Sequence, residues 1–536
     1  MAPAGALLAV WLIVAPRTPD LAAQVYRVDL FRSLGPAIWD EHWYAGHGLP
    51  GYSLLFPPLG SFLGVRLVGA LAVLVSVLLF DRIARALFGS SARWPTACFA
   101  VAAVGDLWIG RIAFALGVSF ALAAALALVR DRPVPAAVLA AACAAASPVA
   151  GVLLGLAGLS ISVHQRSARA VLLLGIPPAA VVLGLAVLFP EGGWEPYPIR
   201  SFAATAVVVI AFLCALPPAE RGLRTAAIVY LAACLACLAI HSPMGSNIER
   251  YAVLLAGPLL LGAVLSSRAR AREHGGEGPP GARPPAVAVA VLILIAVWVV
   301  WGPVRETLAV AGSQDTSAAY YVPVERFIAA VPDGPVRVEV PLTRSHWEAA
   351  LLAPSVSLAR GWEKQLETRY AHPLLSPGPA AASYRAWLSE QAVSYVALPD
   401  ASLDSTSMQE GRLIRGGLPY LRLVFASRHW RIYRVLGATP ILTGPGRLQS
   451  LGHDSFTVRA HAAGRLLVRV HFTPYWTVTA GRGCVQEAPG GWTEVVLGGP
   501  GTVTVAARFS FARAFSGTGS CPGVDRRSRE SAPTSG

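Results

Sequence analysis

The first 301 residues carry a succession of apolar runs separated by short breaks that hold most of that region's arginines. A helix needs about 20 apolar residues to cross roughly 30 Å of hydrocarbon. Lipid supplies no hydrogen-bond partners, so each run must satisfy its own backbone, and for segments of this length that means helix. Residues 59–80, 170–189, 202–216, 226–240, 252–265 and 286–301 read as single crossings.

The remaining runs need their flanks to be interpreted. Residues 4–16 are short and have no basic residue before them, so they read as a retained or truncated transmembrane helix, with a cleaved signal as the alternative. Residues 94–104 and 112–129 surround a tip at 105–111 and carry arginine at both outer ends, which predicts a helical hairpin. Residues 136–163 are also basic at both ends and are interrupted by Ser147-Pro148. Proline removes a backbone donor and clashes with the preceding turn. This stretch reads as a second hairpin, one long kinked helix being the alternative, and the expected total is about eleven helices.

Charge then orients the bundle. Charged residues make up 14% of the chain against about 25% in a typical soluble protein, and hydrophobic residues 54%. The net charge of +14 comes largely from arginines at run ends, such as Arg82, Arg130, Arg169 and Arg224. These read as positive-inside anchors at a lipid bilayer and not as a nucleic-acid patch. The resulting arrangement is a multi-pass protein of the plasma membrane, N-terminus cytoplasmic, with loops 17–57, 105–111, 190–200 and 241–250 and everything after residue 302 extracytoplasmic.

Residues 303–436 change to a soluble pattern. Strand-like stretches at 336–340 and 394–398 alternate with helical ones at 324–330 and 384–391, predicting an α/β subdomain. From 437 to 523 period-two alternation at 455–460, 466–472, 493–497 and 502–509 predicts a β-sandwich. Residues 524–536, rich in Ser and Arg, are expected to be disordered. Cys484 and Cys521 are the only cysteines outside the apolar runs and are expected to pair as a disulfide on an oxidising face, two free thiols being the alternative. Cys234 and Cys237 mimic a C-x-x-C motif but lack the second pair a zinc site needs.

The candidate chemistry lies in the outer loops. The first holds Asp20, Asp29, Asp40 and Glu41 interleaved with Trp43, Tyr44, His47 and Tyr52. A carboxylate can take a proton from an acceptor hydroxyl, and aromatic faces pack on sugar rings; the alternative is an ordinary wet loop with its aromatics in the interfacial belt. Asp106 and Arg111 flank the hairpin tip, while His241, Glu249 and Arg250 belong to another outer loop. A guanidinium there can clamp a phosphate, or it can simply pair with Glu249 or a lipid head group. No phosphate-binding G-x-x-x-x-G-K-S/T loop, H-E-x-x-H or nucleophile elbow is present. A transporter or flippase of lipid-linked glycans would place charge or broken helices at mid-membrane in two related halves. Here the charges gather at the edges and no repeat is seen, so that reading and a non-catalytic envelope scaffold stand as alternatives.

An acidic residue just after the first helix, followed by a long aromatic loop ending in the run from Trp43 to Pro58, resembles the polytopic GT-C glycosyltransferase superfamily. Within it the chain is similar to an actinobacterial branch labelled 6-pyruvoyl-tetrahydropterin-synthase-related membrane proteins. Gly110-Arg111-Ile112-Ala113-Phe114, the Ser147-Pro148 break, the loop from Pro243 to Arg250, Gly361-Trp362-Glu363-Lys364-Gln365 and Tyr384-Arg385-Ala386-Trp387-Leu388 extend the resemblance over most of the chain. It implies an inverting transfer of a sugar from a polyprenyl-phosphate-linked donor to an extracytoplasmic envelope glycan or lipid. No cofactor is implied with certainty, and a divalent cation is left open. Asp20 holds the position of the superfamily's catalytic acid; Asp40 comes second, and the adjoining Glu41 leaves the choice open. Arg250, Arg111 and His241 are expected on the donor phosphate. Trp43, Tyr44, His47, Tyr52, Asp106, Trp362 and Gln365 are expected on the acceptor or sugar, with Asp106 also a possible metal contact.

Overall fold

Every apolar run of the first 310 residues is helical in the computed structural model, which describes residues 2–273, 285–332, 334–375, 380–515 and 521. The order is α1 (Ala2–Val14), α2 (Pro19–Leu34), α3 (Phe56–Leu63), α4 (Val65–Phe88), α5 (Arg93–Ile109), α6 (Ile112–Val129), α7 (Pro133–Ala146), α8 (Pro148–Gln165), α9 (Arg169–Leu174), α10 (Ile176–Leu188), α11 (Ile199–Ala215), α12 (Arg221–Ala239), α13 (Glu249–Glu273) and α14 (Pro285–Val310). The chain divides into a helical unit of residues 1–32, 50–186 and 192–312, and a second unit of residues 33–49, 187–191 and 313–536.

The expected bundle of apolar membrane helices is borne out as seven or more such helices. Among the described residues seven helical stretches are long and apolar enough to cross a membrane, or eight if the bent pair α1/α2, meeting at 77°, is one span. A count by length alone falls below eleven for local reasons. One of the seven is the 45-residue stretch 65–109, in which α4 and α5 continue through a 3₁₀ turn at Gly89–Ala92. At 1.5 Å per residue its 45 residues would extend about 68 Å, over twice the hydrocarbon thickness, and α4 and α5 pack against each other, so the stretch is long enough for two crossings. α7 and α11 are apolar helices of 14 and 17 residues, at or below the shortest length that crosses. The Ser147-Pro148 break does separate α7 from α8, and Ser147 caps α8 by accepting from the Ala150 backbone N–H. The expected tip at 105–111 shrinks to Gly110 and Arg111, because α5 stays helical through Ile109 and carries Asp106 with it.

The second unit begins with a five-stranded sheet. Its strands are β3 (Arg337–Glu339), β4 (Ser357–Leu358), β5 (Val393–Pro399), β6 (Leu421–Ala426) and β7 (Trp430–Val435), ordered β4-β3-β5-β7-β6. β3 is parallel to β4 and β5, and the β5-β7-β6 side is antiparallel. β8 (Leu442–Thr443), β9 (Gly446–Leu451), β10 (Ser455–Ala460), β11 (Gly464–His471), β12 (Trp476–Ala480), β13 (Cys484–Ala488), β14 (Trp492–Leu497) and β15 (Gly501–Ala507) form two four-stranded sheets, β12-β15-β10-β9 and β13-β14-β11-β8. Alternate residues of these strands, among them Phe456, Val458, Leu466, Val468, Val495 and Val505, point into one shared core. Cys484 and Cys521 are joined by a disulfide. The tail expected to be disordered, 524–536, lies outside the described residues.

A short hairpin, β1 (Trp39–Asp40) with β2 (His47–Gly48), belongs to this second unit although it lies early in the chain. Trp39 joins the sandwich core, edge-on to Trp476 with ring centroids 5.8 Å apart. The first loop is therefore two structures: the helix α2 with Asp20, and a segment from residue 33 to 49 folded into the β-rich unit.

Candidate functional site: a charged elbow at the helix ends

The Gly110–Arg111 elbow between α5 and α6 is held against the start of α2. Gln24 does this with its amide, donating to the Gly110 carbonyl and accepting from the Ala113 N–H at 2.7 Å. Gly110 sits at φ +99°, and a Cβ there would come within 2.5 Å of the Leu21 backbone nitrogen, so position and backbone conformation both require glycine. Trp11 of α1 donates its indole N–H to the Leu107 carbonyl at 3.0 Å, fixing the end of α5.

This docking brings together charges that are far apart in sequence. Arg111 donates from Nε to Asp20 at 3.4 Å and from Nη1 to Asp106 at 3.2 Å. Burial works against the Arg111 charge, but Asp106 and Asp20 outweigh it and push its pKa above the ordinary guanidinium value. Arg250, in the first turn of α13, lies over the Phe114 ring at 5.1 Å and donates to Asn247. It is within electrostatic reach of Arg111, Asp20, Asp106 and Tyr52, and its buried Nε has no hydrogen-bond partner. Arg27 lies 4.0 Å over the Tyr52 ring. Two carboxylates thus share a site with three guanidinium groups, a balance that suits an anionic ligand. The Asp20 side chain is 34% exposed and that of Asp106 3%, so Asp20 is the more accessible of the two carboxylates.

The sequence pointed to Asp20, Asp106, Arg111, Arg250 and Tyr52, and the fold brings them together. Gln24 and Arg27 were missed. Their signal is helical spacing: they follow Asp20 by four and seven residues on one face of α2.

Asp40 and Glu41 have the opposite surroundings. Asp40 is fully enclosed, 2.9 Å from Nδ1 of His453, and accepts from the His42 N–H at 3.2 Å. Burial raises its pKa, but the His453 hydrogen bond and the charges of His47, His453 and His42 outweigh this and bring it down to about 2. Glu41 is equally enclosed, 3.3 Å from Arg337 Nη2. Trp43 donates to the Ala349 carbonyl at 3.0 Å, and Tyr44 to Glu367 at 3.0 Å. Glu367 lies beside Arg360, which also reaches Glu339 and Glu410, each at 2.6 Å. This enclosure speaks against Asp40 and Glu41 as proton-transfer groups and against Trp43 and Tyr44 as sugar platforms, since none presents a free face. Their partners are internal.

The other candidates are dispersed. His241 is exposed and stacks on Trp194 at 4.1 Å. Trp362 stacks on His346 at 3.4 Å, and Gln365 lies in the helix Lys364–Tyr370, both within the second unit. Among the described residues no group of three or more His, Cys, Asp or Glu side chains is placed to hold a metal ion.

No family model matches the chain, and no curated protein matches it. Among solved structures the chain is similar to the arabinofuranosyltransferase AftD from mycobacteria, determined by single-particle cryo-EM. That match has 14% identity and a TM-score of 0.45, over 95% of this chain and 57% of that one. This chain therefore spans little more than half the length of that structure.

Proposed function

We propose that the chain is a membrane glycosyltransferase that moves a sugar from a polyprenyl-phosphate donor to an extracytoplasmic envelope glycan or lipid, with inversion at the anomeric carbon. The observation that carries the reading is the convergence of Asp20, Asp106, Arg111 and Arg250 at the ends of apolar helices. A lipid-linked phosphate enters from the bilayer, so a site for it belongs at such ends, and its charge needs guanidinium partners there.

In this reading Asp20 accepts the proton of the acceptor hydroxyl as its oxygen attacks the anomeric carbon. The bond from that carbon to the phosphate oxygen breaks, and its electron pair leaves with the polyprenyl phosphate, whose charge Arg250 and Arg111 stabilise. Asp106 holds Arg111 in place. The activated donor supplies the driving force.

The test is to incubate the purified full-length protein in lipid nanodiscs with a panel of polyprenyl-phosphate-linked hexoses and pentoses and candidate acceptors. Donor-dependent thermal stabilisation and release of polyprenyl phosphate are expected with at least one donor. If no donor gives stabilisation or product, the reading fails.

A further inference from the structure

A second site lies wholly within the β-rich unit. A cavity of about 370 Å³ opens between the hairpin β1–β2, the segment 187–191, the helix Lys364–Tyr370 and the sandwich strands. At its wall three rings form a column: Tyr370 stacks on His471 at 4.1 Å, and His471 on Trp492 at 4.5 Å with planes 9° apart. Arg369 lies 4.9 Å over the Tyr370 ring, so the column presents ring edges, which with Phe189, Pro373 and Phe472 make an apolar wall beside hydrogen-bonding groups, the two features that a pyranose or furanose ring matches.

The polar lining narrows the ligand further. His471 and Gln391 are both more than nine-tenths buried, and each carries a buried atom with no hydrogen-bond partner: His471 Nε2 and Gln391 Oε1. The His471 ring is held neutral by burial and by Arg337 and Arg369, its pKa lowered to about 3. Its other nitrogen bonds the Gly491 carbonyl, so Nε2 is left as an acceptor. Unsatisfied buried acceptors are costly unless a donor meets them. Around them stand Glu191, Glu390 and Glu487, with Arg369 as the one formal cation of the lining. The cavity is thus rich in acceptors and carries net negative formal charge. It favours a neutral ligand with several hydroxyl donors and disfavours a phosphate, the reverse of the balance around Arg250.

We infer that this cavity binds one or two rings of a neutral glycan, packed against the aromatic wall that includes Tyr370 and hydrogen-bonded through its hydroxyls to His471, Gln391 and the surrounding glutamates. The inference is independent of the transfer reading: Asp20 is not among the cavity's lining residues, so binding here persists in Asp20→Asn even if transfer is abolished.

Saturation-transfer NMR on the full-length protein in nanodiscs, with methyl glycosides of neutral hexoses and of arabinofuranose as probes, tests it. At least one neutral glycoside is expected to show transfer, and the matching anionic glycosyl phosphate to bind at least tenfold more weakly. Tyr370→Ala is expected to weaken binding tenfold or more. Glu487→Arg, at an exposed position, is expected to weaken it at least fivefold with the thermal unfolding midpoint unchanged. The inference is overturned if no neutral glycoside binds at millimolar concentration, if the phosphate binds as well as the neutral probe, or if Glu487→Arg leaves affinity unchanged.

Discussion

Asp20 and Asp40 lie twenty residues apart in the same acidic, aromatic loop, yet they fold into opposite environments. Asp20 is partly open, bonded to an arginine that also serves Asp106, and near a second arginine with an unpartnered nitrogen. Asp40 is sealed beside His453, with Glu41 against Arg337. The contrast teaches that proximity of an acid to cations does not mark a site. What separates the two is whether the acid is enclosed among internal partners, as at Asp40, or accessible beside an excess of guanidinium groups, as at Asp20.

The sharpest way to break this comparison is to neutralise each aspartate. Asp20→Asn is expected to lower transfer roughly 10²- to 10⁴-fold, the usual contribution of a general base, with the thermal unfolding midpoint unchanged. Asp40→Asn should show the reverse pattern, a lowered midpoint with transfer retained in the folded fraction. Initial rates and unfolding curves of both variants measure this, and the comparison collapses if Asp20→Asn transfers normally.

A smaller effect sharpens the structural side. Arg337→Ala leaves Glu41 buried without its counter-charge and is expected to cost about 3–5 kcal/mol in denaturant unfolding. Replacing both with apolar residues, as in Arg337→Met with Glu41→Leu, should recover most of that loss. Failure of the double variant to recover stability would mean that the pair does more than neutralise itself.

The smallest expected effect is on pH. Burial, then the neighbouring His453, lower the His42 pKa from 6.5 to about 4 against the pull of Asp40, and Asp40 itself is lowered to about 2. A buried neutral histidine contributes stability that is complete above its unfolded pKa and is lost as pH falls from about 6.5 to about 4. The Asp40 contribution is complete above about 3.8 and is lost as pH falls towards about 2. Urea midpoints followed by tryptophan fluorescence should therefore be flat from these two groups above pH 6.5 and fall in two stages below it. A midpoint that rises on acidification from pH 6.5 would contradict the burial of His42.

Much of the architecture is written locally. Apolar length and flanking arginine locate the helices, Ser147-Pro148 marks its break, and period-two alternation locates β10, β11, β14 and β15. β6 and β7 escape such reading because arginines such as Arg422, Arg431 and Arg434 interrupt their apolar pattern. Helix lengths are misjudged where a glycine decides them, as at Gly64, whose φ of +89° ends α3 inside what looks like one continuous run. The division of the first loop is the least legible feature. The partners that seal it, Arg337 and His453, lie 296 residues from Glu41 and 413 from Asp40, and no local spacing encodes them.

That the β-rich unit takes in residues 33–49 and 187–191 has a consequence for how the protein is made. At roughly 5–20 residues per second on the ribosome, the segment with Trp39 and Glu41 waits tens of seconds for the residues it will pack against. Until then its tryptophans and carboxylates are without their final neighbours, which invites a chaperone or the nascent helices to shield them. A fragment begun at residue 313 would lack both segments, and Arg337 would have to bury a charge that nothing answers.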